Sequence, residues 1–408
     1  MDARLISGRS GGVEQAIIGL ADSFSSLNDP EIEFNWLVYK NESSWLSEHL
    51  PKNSDVVETR FSHESKAVRT SLIHTLRGSR WTQRSLTAAR KYGPWAYKLP
   101  AEPEIVSKIN PSIVHFPTQF GFTTAYPNVY QPHDLQHLHF PEFFSREILY
   151  IRQIAYEAMI KQATKVIVGN DWTKKDVQRH FPIARGKVTN VPVFPQILPS
   201  PSEQSVSHFN FSNRGYLFYP AAGWIHKNHD RLFRALATVL KAGHEIDLVL
   251  SGTNLEANPS LLKGIQDNEL QGHVHIVGFV SPLHLLDLYK RAHAIIVPSL
   301  FESASFPIWE AFNLGIPVAA ARTTAIPDQV GDAATLFNPL SVTEISTAIV
   351  AVLRGGAEIE TRVQRGKTRV SQFTAKNTAT GFRYSYRRSL DLPLDDMDLE
   401  WECEGTRF

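Results

Sequence analysis

Cysteine is almost absent from this sequence of 408 residues, because Cys403 is the only one. A single cysteine cannot form an internal disulfide, and it excludes a metal site built on several cysteines. The sequence also lacks any run of 18 apolar residues, so it predicts no membrane-spanning helix. Met1–Arg4 lacks the apolar core of a signal peptide, which favours a cytoplasmic protein.

The sequence also lacks an excess of charge of either sign. The formal net charge is +1, from 42 basic and 41 acidic residues, which argues against a nucleic-acid partner. Hydrophobic residues make up 42% and charged residues 20% of the chain, values typical of a globular protein. The length predicts two domains or one large domain.

Acidic residues are absent from the segment 66–98, which holds eight lysines and arginines. Aromatic residues are interleaved with them at positions 81, 92, 95 and 97. Basic and aromatic side chains together are typical of a surface that contacts an anionic acceptor or a membrane. Two interpretations follow: a peripheral contact at the inner face of the membrane, or an ordinary solvated loop.

Short apolar runs alternate with amphipathic segments along most of the chain. Three predicted strands of this kind are Tyr216–Pro220, Asp247–Thr253, which ends in small residues, and Ala294–Pro298. Strands of about five residues that alternate with helices of about ten predict an α/β fold, with helices on both faces of a parallel sheet. Ligands of such sheets bind beyond the carboxyl ends of the strands, so functional side chains are expected there.

The segment 294–321 carries the most specific pattern. A predicted strand is followed by a loop of small residues, and Pro307 marks the start of a helix, where its missing N–H costs nothing. Glu302 and Glu310 lie eight positions apart, in the loop and in the predicted first helical turn. A helix N-terminus suits a phosphate, and nearby carboxylates can accept hydrogen bonds from sugar hydroxyls. Alternatively, the glutamate of the first helical turn only complements the helix dipole and binds no ligand.

The two glutamates resemble the E-x7-E signature of retaining GT-B glycosyltransferases of family 4, or glycosyltransferase group 1. Segments that resemble the same family are Val277–Val280, Leu288–Ala292 and Ile326–Ala333. The resemblance implies two Rossmann-like domains that face each other across a cleft. It also implies transfer of a sugar from a nucleotide-sugar donor, with retained anomeric configuration. The usual Gly-Phe-Gly between the glutamates is replaced here by residues 303–305, Ser-Ala-Ser.

The same resemblance implies a set of donor-binding residues in the second domain. They are Lys227, Ser251, Gly252, Phe279, Glu302, Ser303, Ala304, Ser305, Phe306 and Glu310. Glu310 would hold the nucleotide ribose, Glu302 the hydroxyls of the donor sugar, and Phe279 would lie near the base. Lys227 and the loop amides at 303–306 would stabilise the charge on the leaving diphosphate, and such electrostatic stabilisation is often the largest contribution to catalysis.

Lys227 lies in the segment Trp224–His229, between a predicted strand and a predicted helix. A lysine there can meet a diphosphate as a point charge, although an ordinary surface lysine is the alternative. Family members commonly have an arginine five residues earlier, where this chain has Ala222. A subgroup with the same Trp-x-His-Lys-Asn-His segment shows the same loss and favours a mannosyl donor with guanine. Three residues could compensate: His226, Asn228 and His229.

Two segments resemble the acceptor side of the family. Ser7–Gly12 is a glycine loop before a predicted helix, where backbone can approach a ligand, so Gly11 and Gly12 would face the cleft. His133 follows a predicted strand and would approach the transferred sugar, as a hydrogen-bonding or acceptor-positioning residue. Proton transfer is a further role, since histidine titrates near neutrality. The alternative is a histidine that is bonded within its own turn.

Metal sites are not expected. Histidines at positions 133, 137 and 139 lie in a loop with two prolines, whereas zinc needs three or four converging ligands. Asp396-Met-Asp398 matches the Asp-x-Asp metal motif of another glycosyltransferase fold, but it lies in an acidic tail. GT-B enzymes generally need no metal, and the nucleotide sugar is a substrate, so the resemblance implies no cofactor.

The predicted domain organisation has five parts. Residues 1–195 form an acceptor-side domain, a linker rich in proline and serine covers 196–213, and residues 214–375 form the donor domain. A helix over 376–390 would cross back to the first domain, and the acidic tail 391–408 is expected to be loose.

The implied function is a hexosyltransferase that acts on a glycan or lipid-linked acceptor hydroxyl, in the assembly of cell-surface polysaccharide or lipopolysaccharide. One alternative is a nucleotide-sugar epimerase on the same fold. Another is a non-catalytic binding protein, suggested by the short start, the altered glycine loop and the missing arginine.

Overall fold

The computed structural model describes residues 1–6, 12–59, 98–192, 209, 211 and 214–404. The chain divides into two units. The first comprises Met1–Gly169, Lys174–Phe194 and Ala375–Phe408, and the second comprises Asn170–Thr173 and Pro195–Thr374. The predicted linker and the basic segment 66–98 lie outside the described residues, except for positions 98, 209 and 211.

Twelve strands belong to the described part of the chain. They are β1 (Phe34–Tyr39), β2 (Ser54–Thr59), β3 (Val114–Phe116), β4 (Asn128–Tyr130), β5 (Lys165–Val168), β6 (Val188–Asn190), β7 (Tyr216–Pro220), β8 (Asp247–Ser251), β9 (Val274–Gly278), β10 (Ala294–Val297), β11 (Val318–Ala321) and β12 (Thr335–Phe337). Every registered pair between them is parallel, as the alternation of strands and helices predicts.

Fifteen α-helices are described with them. They are α1 (Gly12–Leu27), α2 (Ser44–Ser47), α3 (Glu104–Ile109), α4 (Gln136–His139), α5 (Arg146–Gln162), α6 (Asp171–His180), α7 (His229–Lys241), α8 (Pro259–Asp267), α9 (Pro282–Arg291), α10 (Phe306–Leu314), α11 (Ile326–Val330), α12 (Val342–Arg354), α13 (Ala357–Ser371), α14 (Ala375–Ser389) and α15 (Asp396–Glu404). None of them is long and apolar enough to cross a membrane.

The first unit contains a four-stranded sheet in the order β3-β4-β5-β6 and a two-stranded sheet of β1 and β2. Residues 1–3 link the two sheets, because the amide of Asp2 donates to the His115 carbonyl and that of Ala3 to the Leu37 carbonyl. The crossing helix expected over 376–390 has its counterpart in α14, which belongs to this unit. Phe382 of α14 packs against Phe24 of α1, with ring centroids 6.2 Å apart.

The expectation of a loose tail is wrong for α15. Asp398 is fully buried, and its Oδ1 lies 2.6 Å from Nη1 of Arg383 on α14. Trp401 is buried beside Tyr384, with ring centroids 5.0 Å apart. The acidic residues of this segment therefore neutralise buried arginine instead of being solvated, and the tryptophan anchors the helix through apolar burial.

The second unit contains a six-stranded sheet in the order β12-β11-β10-β7-β8-β9. Helix α7 shows why the sequence folds in this way, since Leu232, Phe233, Leu236 and Val239 recur at helical spacing and are all buried in the core. The strand order reverses between β7 and β10, which makes this pair a topological switch point. Ligands of doubly wound sheets bind in the crevice beyond the strand ends at such a point.

Candidate donor-binding site

Lys227 and Glu302 meet at the switch point of the second unit. Lys227 ends a 3₁₀ turn over Ile225–Lys227 after β7, and Glu302 lies in the loop after β10. The Lys227 Nζ donates to Glu302 Oε1 at 2.6 Å. Their side chains are 20% and 10% exposed, so the pair is mostly screened from solvent yet still accessible. Two residues that are 75 positions apart in sequence thus form one charged site at the carboxyl ends of adjacent strands.

Asn228 ties together three of the loops at this edge of the sheet. Its Nδ2 donates to the carbonyl oxygens of Pro298 and Pro339, each at 2.9 Å. The backbone of Asn228 has φ of +60°, a left-handed conformation that asparagine adopts more readily than most residues. The hydroxyl of Tyr219 donates to the Lys227 carbonyl at 3.0 Å. These contacts fix the backbone on which Lys227 stands.

The backbone of Glu302 is held by a residue that the sequence pattern did not single out. Its amide donates to Thr324 Oγ1 at 3.0 Å, and the same hydroxyl donates to the Glu302 carbonyl at 2.6 Å. Thr324 follows β11, the strand next to β10, so neighbouring strand ends support the same loop. The carboxylate of Glu302 is therefore presented from a fixed backbone.

Residues 303–306 are only partly available to a phosphate. The Ser305 amide donates to Gln329 Oε1 at 2.9 Å, and Gln329 Nε2 donates to the Ser305 carbonyl at 2.7 Å. Ser305 is buried, whereas Ala304 is exposed and Ser303 and Phe306 are half-buried. The expectation that all four loop amides serve a diphosphate is therefore wrong for Ser305, whose N–H is already committed to Gln329.

Glu310 lies one turn further along α10 than expected. The helix begins at Phe306, so Glu310 is its fifth residue and belongs to the second turn. The hydroxyl of Tyr289, on α9, donates to Glu310 Oε2. Burial raises the pKa of the Glu310 carboxyl to about 7, although the hydrogen bond from Tyr289 opposes this rise. The carboxyl therefore changes charge near neutral pH.

The loops after β7 and β8 pack closely because of two glycines. A Cβ on Gly223 would lie 1.9 Å from the Asn254 carbonyl oxygen, and one on Gly252 would lie 2.8 Å from the carbonyl carbon of Ala221. Gly252 also has φ of +145°, which side chains rarely tolerate. The buried Ser251 hydroxyl donates to the Gly278 carbonyl at 2.9 Å and so supports these loops.

Phe279 follows β9 at the same edge of the sheet and is 72% exposed. An aromatic side chain that gains little from burial is available for contact with a flat ligand such as a nucleotide base. That the loop 278–280 runs near the base stays a prediction.

The missing arginine at position 222 is not replaced by another charge in this loop. Burial, together with the nearby Lys227 cation, lowers the pKa of both His226 and His229 to about 3. Both imidazoles are therefore neutral at pH 7, and Asn228 is committed to the Pro298 and Pro339 carbonyls. Lys227 is the only lysine or arginine between positions 221 and 229, so it carries the positive charge of this loop alone.

His133 belongs to the first unit and has a defined tautomer. Its Nε2 lies 2.7 Å from the Pro117 carbonyl, and since a carbonyl only accepts, Nε2 carries the proton. Burial lowers the pKa of His133, so the ring is neutral and Nδ1 offers a lone pair. Gly12 opens α1 and is exposed, whereas Gly11 lies outside the described residues.

The three clustered histidines do not converge on one point. His133 donates to the Pro117 carbonyl, whereas His137 packs against Tyr156 with ring centroids 4.8 Å apart. His139 Nε2 lies 2.8 Å from Asp176 Oδ2. The three side chains therefore have separate partners within the first unit.

Tyr289, Thr324 and Gln329 are residues of the site to which the sequence interpretation gave no role. Gln329 and Tyr289 fall inside two segments that resemble family motifs, 326–333 and 288–292, which is the one signal that could have drawn attention to them. Thr324 carries no such signal, because its role depends on the packing of the loop after β11 against the loop after β10.

Residues 202–369 match the family model described as glycosyl transferases group 1. The chain is 25% identical over 278 residues to O-antigen chain mannosyltransferase B of Escherichia coli, covering 64% of this chain and 73% of that relative. It is 29% identical over 168 residues to MMP alpha-(1->4)-mannosyltransferase of Mycolicibacterium hassiacum, covering 40% of each chain.

Among solved structures, HepE of Anabaena in complex with UDP-glucose aligns with a TM-score of 0.61 and 19% identity. The alignment covers 92% of this chain and 95% of HepE. A likeness at this level of identity shows the fold, which is the GT-B fold predicted from the sequence.

Proposed function

We propose that this chain transfers a hexose from a nucleotide sugar to an acceptor hydroxyl with retention of configuration, and the match of residues 202–369 to the model of glycosyl transferases group 1 supports this proposal. The observation that carries the proposal is the Lys227–Glu302 pair, 2.6 Å apart beyond the ends of β7 and β10. A cation and a carboxylate side by side suit the two parts of a donor, a charged diphosphate and a sugar rich in hydroxyl groups.

Lys227 is proposed to bind the diphosphate. Its ammonium group has three N–H donors, and Glu302 Oε1 takes one of them. The remaining donors can face phosphate oxygens without breaking the pair. As the bond between the anomeric carbon and the phosphate oxygen breaks, negative charge develops on the leaving diphosphate, and a fixed cation stabilises it.

Glu302 and Glu310 are proposed to read hydroxyl groups of the donor. Glu302 accepts hydrogen bonds from the transferred sugar, because its backbone is fixed by Thr324 and its carboxylate is oriented by Lys227. Glu310 accepts hydrogen bonds from the ribose when it is ionised, and the neighbouring Tyr289 hydroxyl orients it. Exposed Phe279 contacts the base.

His133 is proposed to accept a hydrogen bond from a sugar hydroxyl through its unprotonated Nδ1. This assignment rests on the tautomer that the Pro117 carbonyl selects. Asp134 is left with a structural role, since its Oδ1 accepts from the Gln136 amide at 3.0 Å. The retaining mechanism then needs no carboxylate nucleophile: the acceptor oxygen bonds to the anomeric carbon, the diphosphate leaves, and the acceptor proton passes to a phosphate oxygen.

A mannosyl donor is proposed because two relatives are named mannosyltransferases, and the guanine nucleotide remains a prediction of the Trp-x-His-Lys-Asn-His segment. The name of the Escherichia coli relative also favours a glycan acceptor in surface polysaccharide assembly. A lipid-linked acceptor, peripheral membrane contact through residues 66–98 and a cytoplasmic location remain predictions. The transfer is proposed to need no metal.

The test is product analysis. The purified chain is incubated with GDP-mannose and other nucleotide sugars, with and without mannose-terminated oligosaccharides, and the products are examined by NMR. A new glycosidic bond with the donor's anomeric configuration supports the proposal. An inverted linkage refutes retention. A changed donor sugar without acceptor indicates an epimerase, and binding without turnover of any donor indicates a non-catalytic protein.

A further inference from the structure

A second cluster of chemistry-bearing side chains lies in the first unit, apart from the residues assigned to the donor. His139, at the end of α4, and Asp176 and His180, on α6, each offer one ligand atom, and these atoms all lie within 4.8 Å of one another. His139 Nε2 lies 2.8 Å from Asp176 Oδ2, and His180 Nδ1 lies 3.2 Å from Asp176 Oδ1. We propose that this cluster is a binding site for a divalent transition-metal ion, with zinc as the preferred occupant.

Helix α6 holds two of the three ligand residues in a fixed relation. Asp176 and His180 are four residues apart on α6, so their side chains leave the same face of the helix, one turn apart. His139 comes from a different helix and supplies the third corner. Two ligands on one helix and one from a neighbouring element is an arrangement that zinc sites use repeatedly.

Burial of Asp176 supplies an independent observation. Its side chain is only 2% exposed, and its Oδ1 has no hydrogen-bond partner among the described residues, although His180 Nδ1 is 3.2 Å away. A buried carboxylate oxygen without a donor is costly, and a cation is the partner that removes this cost. Half-buried His139 and exposed His180 leave one side of the cluster open, as a fourth position for water requires.

The distances between ligand atoms suit a metal. Tetrahedral ligands 2.0–2.1 Å from zinc lie about 3.3 Å apart. His139 Nε2 lies 2.8 Å from Asp176 Oδ2, His180 Nδ1 lies 3.2 Å from the other carboxylate oxygen, Oδ1, and the three ligand atoms all lie within 4.8 Å of one another. Metal binding requires a lone pair on the ligating nitrogen, so the proton that His139 Nε2 directs at Asp176 moves to Nδ1. His180 Nδ1 lies 3.0 Å from the Asp176 backbone carbonyl and donates to it, so ligation through this nitrogen would break that bond and move the proton to Nε2. Two neutral imidazoles and one carboxylate form a donor set that zinc accepts, and the metal leaves the site with a net charge of +1.

The site would connect α4 to α6. Because α4 begins three residues after His133, a bound ion would fix the segment that carries this histidine. A metal here would hold two helices together without touching the donor-binding residues, so its binding does not depend on the proposed transfer reaction.

The test measures metal and not activity. The full chain is purified without a histidine tag, zinc is quantified by mass spectrometry, and affinity is measured by competition with a chromophoric chelator. Cobalt is substituted to read the coordination geometry from its visible spectrum. The expected result is one zinc per chain, a tetrahedral cobalt spectrum, and a loss of affinity of about tenfold or more in His180→Ala and His139→Ala.

The matched control is His49→Ala. His49 Nδ1 lies 2.8 Å from Asp22 Oδ1, which makes a histidine–aspartate pair of the same length that belongs to no three-ligand group among the described residues. This variant should bind zinc like the wild type. His180 is exposed at the end of α6, so its replacement should leave the fold intact, which circular dichroism checks. The proposal is overturned if the wild type binds no zinc at micromolar concentration, or if His180→Ala binds it equally well.

Discussion

Replacing Lys227 by alanine separates the two roles that the structure gives this residue. The change removes the only lysine or arginine of the loop 221–229 and leaves Glu302, whose side chain is 10% exposed, without its partner at 2.6 Å. Turnover should fall about a hundredfold, because one preformed donor to the leaving group is lost. Stability should fall too, because the unpaired carboxylate stays largely buried.

The size of the stability loss follows from burial. Breaking a buried pair on one side costs about 3–5 kcal/mol, and an exposed pair contributes about 0–1 kcal/mol. Lys227 is 20% exposed, so the loss should lie between these limits, at about 2 kcal/mol. Such a loss lowers the melting temperature of a unit of this size by about 4–8 °C.

The assay compares three variants by thermal unfolding and by initial rates of transfer. The double variant Lys227→Met with Glu302→Gln removes both charges, so it should recover most of the melting temperature but none of the turnover. Lys263→Ala is the matched control, because Lys263 forms an exposed pair with Asp267 at 2.6 Å in the same unit. This control should change neither quantity measurably.

Two results would refute this reasoning. Undiminished turnover of Lys227→Ala would show that the lysine does not stabilise the leaving diphosphate. A double variant that melts no higher than Lys227→Ala would show that the unpaired carboxylate is not the cause of the stability loss.

Three further predictions follow from the site. Donor affinity should fall as the pH drops below about 7, the raised pKa of Glu310, and Glu310→Gln should bind weakly at every pH, which calorimetry at several pH values checks. Because burial raises the pKa of this carboxyl from 4.5 to about 7, the wild type loses stability as the pH rises between these two values, so Glu310→Gln should melt higher than the wild type in thermal scans at pH 8. Phe279→Ala should weaken nucleotide binding by about 1 kcal/mol without lowering the melting temperature, because the ring is 72% exposed; a drop in melting temperature would contradict it. Gly223→Ala should destabilise the second unit by about 1–3 kcal/mol in thermal unfolding, because its Cβ would lie 1.9 Å from the Asn254 carbonyl oxygen; an unchanged melting temperature would contradict it.

The sequence predicted the architecture of the second unit well for a simple physical reason. Buried parallel strands such as β7 and β10 are short apolar runs, and Pro307 and Gly315 mark the ends of α10. Residues that follow such strands necessarily gather at one edge of the sheet, so Lys227 and Glu302 could be assigned to one site before their distance was known.

The parts that sequence reasoning missed depend on contacts between distant segments. Tyr289 lies on a different helix from Glu310, and only packing of α9 against α10 reveals that its hydroxyl reaches the carboxyl. The sequence interpretation assigned the Ser305 amide to a diphosphate, but in the folded chain this amide donates to the side chain of Gln329. Such pairings leave no periodic signal in the chain.

The prediction of a loose acidic tail failed for a related reason. Its composition suggested solvation, but Arg383 collects the carboxylates of Asp29, Asp395 and Asp398 in the folded chain. Charge composition does not reveal that a buried arginine needs these partners. The segment predicted to be a solvated tail therefore contains a packed helix.

The strand ends around β7 and β10 are proposed to bind a nucleotide sugar. The most direct test of this proposal is thermal stabilisation of the purified chain by a panel of UDP-, GDP-, ADP- and TDP-sugars, with Glu310→Ala beside the wild type. Glu358→Ala is the control, because Glu358 forms an exposed pair with Arg362 in the same unit. At a hundredfold excess over Kd, binding stabilises the folded chain by about 2.7 kcal/mol.

We expect a shift with one nucleotide class, GDP-sugars first, that persists in Glu358→Ala and is lost in Glu310→Ala. The absence of a shift with every nucleotide sugar would contradict this proposal, and so would a shift that Glu310→Ala retains in full.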